Sequence, residues 1–164
     1  MKEIEFKIKG LMMDPLTNSP IVVLQDTTGE TLLPIWVGIF EANAIALQIE
    51  KVDTPRPMTH DLIKGLLTHL NAHVVKIVVT ELKENTFYAL IFLNYEGNLI
   101  TVDSRPSDAI ALALRTDSPI FVTDDVITKS STMNASAGGE RSSPDQIRQW
   151  LENLGPEDLG KYKM

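Results

Sequence analysis

The chain has 164 residues, of which 43% are hydrophobic and 23% charged, and it carries a formal net charge of −7. That length and balance fit one globular domain with an appendage, not a disordered or fibrous chain, and the acidity argues against a broad basic face for standing nucleic-acid binding. With no cysteine there is no disulfide or thiolate metal site, and no apolar run approaches the roughly 20 residues that span a bilayer.

Residues 4–12 alternate Ile4, Phe6 and Ile8 with Glu5, Lys7 and Lys9, the period of a half-buried strand. Residues 14–20, with two prolines and small polar side chains, read as a loop. Ile21–Gln25 is a short β-branched strand, and Gly29 turns the chain into a second, Thr31–Val37. From Glu41 to Lys51 the period becomes helical, with Ala42, Ile45, Ala46 and Ile49 on one face. Residues 54–57 form an extended proline connector. Thr59 is placed to cap a helix carrying Asp61 in its first turn and a stripe of Leu62, Ile63, Leu66, Leu67 and Leu70. Val74–Leu82 and Thr86–Leu93 pair as strands, and Asn98–Asp103 follows. Ser104 is placed as the next cap, with Pro106 in the first turn and an all-apolar stretch over Ala109–Leu114. Residues 119–122 close the sheet. From about residue 128 the composition turns to Ser, Thr, Asn and Gly: a linker over 128–142, then an amphipathic helix and tail over 143–164 with Ile147, Trp150, Leu151 and Leu154 on one face.

Two stretches repeat one another. Ile35-Trp36-Val37 followed by Ala44-Ile45-Ala46-Leu47 matches Ile100-Thr101-Val102 followed by Ala109-Ile110-Ala111-Leu112. The fold expected is therefore α+β, a duplicated strand-strand-strand-helix unit forming a mixed sheet packed with helices, with a C-terminal helical tail. The domain spans 1–127. The two polar corners between strand and helix should occupy related places. One carries Gly38, Glu41 and Asn43, the other Asp103, Ser104, Arg105, Ser107 and Asp108.

Those corners hold the residues that could carry chemistry. His60 beside Asp61 at a helix start reads either as a general base or metal ligand with its orienter, or as a capping carboxylate and a loop-bonded imidazole. Asp103 and Asp108 could share a divalent cation through oxygen ligands while Arg105 grips a phosphate; alternatively Arg105 and Asp103 form a structural ion pair. Glu41 is either a third acid or a helix N-terminal carboxylate. Trp36 and Phe40, near the first corner, read as core residues rather than as base-stacking platforms.

Three motifs in order, Leu33-Pro34-Ile35-Trp36-Val37-Gly38 with Glu41-Ala42, Arg56-Pro57-Met58-Thr59-His60-Asp61-Leu62, and Asp103-Ser104-Arg105-Pro106-Ser107-Asp108-Ala109-Ile110-Ala111-Leu112-Ala113, resemble the bifunctional nuclease domain family. The resemblance covers roughly residues 1–127; Ser104 stands where many relatives carry alanine. It implies a compact α+β fold and nuclease activity on RNA and DNA of the kind attributed to plant members. On that resemblance, Asp103, Asp108 and Glu41 are expected to hold Mg²⁺ or Mn²⁺. His60 would activate water or protonate the leaving oxygen with Asp61 orienting it, and Arg56 and Arg105 would neutralise the phosphate. The partners expected are nucleic acid as a transient substrate and further copies of the chain, a dimer first. No membrane partner is expected, and residence is cytoplasmic. The competing expectation is a non-enzymatic oligomeric module that binds a protein partner or small ligand, its polar corners being architecture.

Overall fold

The computed structural model describes residues 1–136. The elements run β1 (Glu3–Met13), β2 (Pro20–Asp26), β3 (Leu32–Trp36), α1 (Ile39–Ile49), α2 (Thr59–His69), β4 (Ala72–Lys83), β5 (Thr86–Tyr95), β6 (Asn98–Ser104), α3 (Pro106–Thr116), β7 (Ile120–Thr123) and α4 (Asp124–Ser136). The strands form one mixed sheet in the order β3-β2-β1-β7-β4-β5-β6. Pairing is antiparallel throughout except between β4 and β7.

The duplicated unit is present. β1-β2-β3-α1 and β4-β5-β6-α3 flank the short central β7. Because β7 is antiparallel to β1 and parallel to β4, the two halves run in opposite directions about a pseudo-twofold normal to the sheet. α1 and α3 pack against each other and α2 against α3. Ala42, Ala44 and Ala46 of α1 and Ala109, Ala111 and Ala113 of α3 are all buried. Their small side chains favour helix and let two helices approach each other and the sheet closely. Beneath them lie Val22, Leu24, Leu33 and Ile35 from one half, Ile77, Val79 and Ala89 from the other, and Ile120 and Val122 of β7. No helix among the described residues is long and apolar enough to cross a membrane.

The element boundaries differ from expectation for local reasons. Met58, not Thr59, is the N-cap residue of α2, because the Asp61 carboxylate turns back to accept the Met58 N–H at 2.9 Å. Ser104 completes β6 and Arg105 takes the cap position of α3, with Pro106 inside the first turn as expected. Leu62, Ile63, Leu66 and Leu70 stay exposed, and His60 is the buried residue of α2. Helix α4 continues through 128–136, where composition alone suggested linker, and it seats Val126 in the core. The remainder of the linker, 137–142, and the helix expected over 143–164 lie outside the described residues.

On the opposite face of the first half, Trp36 packs half-buried beside Met12, Ile21 and Val23. Its Nε1–H donates to the fully buried Asp14 at 2.9 Å, and the Leu16 N–H donates to the other carboxylate oxygen at 2.9 Å. Burial alone would raise the Asp14 pKa, but these bonds together hold it below its ordinary value. Asp14 thus organises the β1–β2 loop and ties it to β3. Asp14→Ala is expected to lower the unfolding free energy by about 1–3 kcal/mol, read by urea denaturation at neutral pH; an unchanged midpoint would show that the loop closes without it.

Candidate functional site

The first turns of three helices converge. Glu41 lies in the first turn of α1, His60 in that of α2, and Arg105 and Asp108 at the start of α3. Their side chains form one continuous chain of bonds. His60 Nε2 meets Asp108 Oδ1 at 2.9 Å, Arg105 Nε donates to Asp108 Oδ2 at 2.8 Å, and Arg105 Nη2 donates to Glu41 Oε1 at 2.8 Å. Hydrogen bonds to Asp108 first, then to Glu41, raise the already high pKa of Arg105 and fix it as a permanent cation. Access is graded along the chain: His60 is buried, Asp108 and Glu41 are partly covered, and the Arg105 side chain is 65% exposed. Gly38 leaves room for this arrangement, since a Cβ there would overlap Glu41 Oε2.

A second ion pair lies beneath. Arg115, whose side chain is 2% exposed, donates from Nε to Asp61 Oδ1 at 2.7 Å, from Nη1 to Ala111 O at 2.9 Å and from Nη2 to Ala44 O at 3.0 Å. One guanidinium therefore fastens α1, α2 and α3 together. The sequence reading passed over Arg115; the available signal was a single cation following six apolar residues at the end of a helix. Burial pushes the Asp61 carboxyl upward, but the Met58 N–H and the hydrogen bond and charge of Arg115 hold it below its ordinary value of 3.8.

The expected site residues therefore divide. His60, Asp108, Arg105 and Glu41 meet. Asp61 is nearby but is bonded to Arg115; Asp108 is the carboxylate that bonds His60. Arg56 is exposed and lines, with Thr54, Asp61 and Arg115, a separate cleft of roughly 390 Å³. Asp103 pairs with Leu90, one register step from the Ile91–Val102 pair, so it points away from the helix layer. Arg105 is thus bridged to Asp108 and Glu41 and not to Asp103. Among the described residues, no three His, Asp or Glu side chains are grouped so as to hold a metal ion. Phe40, expected in the core, is 83% exposed immediately before Glu41.

Replacing Arg115 by Ala is expected to cost about 3–5 kcal/mol, because it removes the cation paired with Asp61 and a side-chain donor from each of two carbonyls. The pH dependence follows from the lowered Asp61 pKa. Its contribution is fully present above the unfolded value near 3.8 and is lost as pH falls through the lower folded value. The stability difference between the natural chain and Asp61→Asn, measured by denaturation, should therefore be constant from pH 5 to 7 and shrink towards pH 2 (buffer values chosen on either side of the roughly 3.9 of a free Asp). A gap that widens in acid would contradict this account.

Comparison with known proteins adds a family pattern and three relatives. The pattern of the bifunctional nuclease domain matches residues 22–135. An uncharacterized protein of Mycobacterium tuberculosis is 34% identical over 163 residues, covering 94% of this chain and 97% of its own length. Bifunctional nuclease 1 of Arabidopsis thaliana is 31% identical over 130 residues, which is 76% of this chain but 39% of the plant protein. Bifunctional nuclease 2 of Oryza sativa subsp. japonica is 33% identical over 107 residues, 63% of this chain and 33% of its own. The chain thus spans under half the length of these plant relatives.

Proposed function

The chain belongs to the bifunctional nuclease domain family, and on that premise we propose that it hydrolyses phosphodiester bonds of RNA or DNA where the three helix starts meet. The observation that carries this reading is the bonded series His60–Asp108–Arg105–Glu41. It links a base, an orienting carboxylate and an exposed cation. With Asp108 accepting the Nε2 proton, Nδ1 of His60 is the basic nitrogen. It takes a proton from water as the water oxygen bonds to phosphorus, and the leaving oxygen departs with the electrons of its bond and is protonated from solvent. Arg105 presents Nη1, the guanidinium nitrogen bonded to neither Asp108 nor Glu41, to the phosphate and opposes the charge that builds on it. Arg56, in the neighbouring cleft, suits a second phosphate along the strand.

The donor set does not fit a resident Mg²⁺ or Mn²⁺ as it stands. Glu41 and Asp108 are already compensated by Arg105, and Asp103 faces elsewhere. Holding such an ion at Glu41 and Asp108 would require Arg105 to leave both. Phe40 offers an exposed aromatic face beside Glu41, which suits stacking on an unpaired base and favours a single-stranded substrate.

A second reading has one observation in its favour. The acids and cations of the corners largely satisfy each other, as in a non-enzymatic module whose corners are architecture. Cleavage of labelled single-stranded RNA and DNA by the purified full chain separates the two, run with Mg²⁺, with Mn²⁺ and with chelator. His60→Ala is expected to slow cleavage about 10²–10⁴-fold and Arg105→Ala about 10²–10³-fold, with both variants folded by circular dichroism. Rates equal to those of the unaltered chain would remove the catalytic assignment, and cleavage by none of the proteins would favour the module.

A further inference from the structure

The pseudo-twofold makes β3 and β6 equivalent: each is the third strand of its unit and an outer edge of the sheet. They are finished differently. β3 is five residues long, buries Leu33, Pro34 and Ile35, and carries a proline, which blunts an edge by removing a backbone donor. β6 is seven residues long, has no proline or lysine, and is exposed along nearly its whole length. Leu99 is 64% exposed, Ile100 40% and Val102 42%. A long, exposed, largely apolar edge of this kind is a template for another strand.

We infer that a second copy of the chain occupies this edge, β6 pairing antiparallel with β6 across a twofold axis at Thr101 so that the two sheets become one. Three considerations select this occupant and register. Thr101 is the middle residue of Asn98–Ser104, so this centre pairs the strand over its full length. A twofold normal to the sheet keeps each residue on its own face, and opposite residues in a pair share a face. The axis must therefore lie midway between the two copies of a single residue. Centred on Thr101, Ile100 meets the partner copy's Val102 on the helix-bearing face and Leu99 meets the partner copy's Asp103 on the other. Asp103 is the sole charged residue of β6, and this register never opposes it to itself. Two chains of net charge −7 repel one another, and β6 is a place where they can touch with little charge opposed to like charge. The inference is independent of the catalytic reading.

The test uses the full chain in sedimentation equilibrium with two single variants at an exposed position, Leu99→Lys and Leu99→Asp. Both lose the same apolar side chain, so the difference between them isolates charge. Leu99→Lys faces the partner copy's Asp103 with an opposite charge and is expected to keep the dimer within about threefold of the natural dissociation constant. Leu99→Asp places like charges opposite each other twice per dimer and is expected to weaken it about tenfold, a gap that narrows at high salt. A monomeric natural chain would overturn the inference, even if its β6 amides resist hydrogen exchange, since another segment would then cover the edge. A dimer equally affected, or unaffected, by both variants would place the interface or the register elsewhere.

Discussion

The helix layer depends on one buried cation. Arg115 reaches from the last turn of α3 to a carbonyl of α1, a carbonyl of its own helix and the carboxylate at the start of α2. A guanidinium suits this task because its donors diverge in a fixed plane and its charge cannot be removed by burial. Asp61 answers it while also accepting the Met58 N–H. One carboxylate therefore both starts α2 and anchors it. With the first turn of α2 pinned in this way, His60 is carried to Asp108 and the outer network can form.

The two ion-pair systems differ in exposure. Arg115 is enclosed, its donors satisfied by the protein, and its removal is a matter of stability. Arg105 holds two carboxylates at the surface with most of its side chain in solvent. An exposed pair of this kind contributes little to folding; under the proposed function, a cation already oriented by two acids would meet a phosphate without further ordering. The same contrast separates the two arginines by chemistry, although both lie in helix α3 or at its start.

Duplication explains much of the architecture and also where it departs from symmetry. Both halves present a helix start beside a strand end, yet Glu41 comes from one and Arg105 and Asp108 from the other. The candidate site is the seam between them. The sheet edges have diverged similarly, β3 being short and covered while β6 is open.

The duplicated unit, the mixed α+β class and most strand positions were legible in the sequence, because period-two and helical patterns are local properties of consecutive residues. The clustering of polar residues at the corners was legible for the same reason. Which acid serves which base was not. Asp61 is adjacent to His60 in the chain, but helical geometry turns adjacent side chains apart, and the partner of His60 is Asp108, supplied by another helix. Asp103 and Asp108 looked equivalent, yet strand alternation sends Asp103 to the far face. Phe40 looked like core by composition, and the exit of the chain from β3 left it in solvent. The sequence by itself determined the elements, the repeat and the inventory of charged groups. Only the tertiary structure decided their partners, because those contacts join residues far apart in the chain and depend on how three helices cross one sheet.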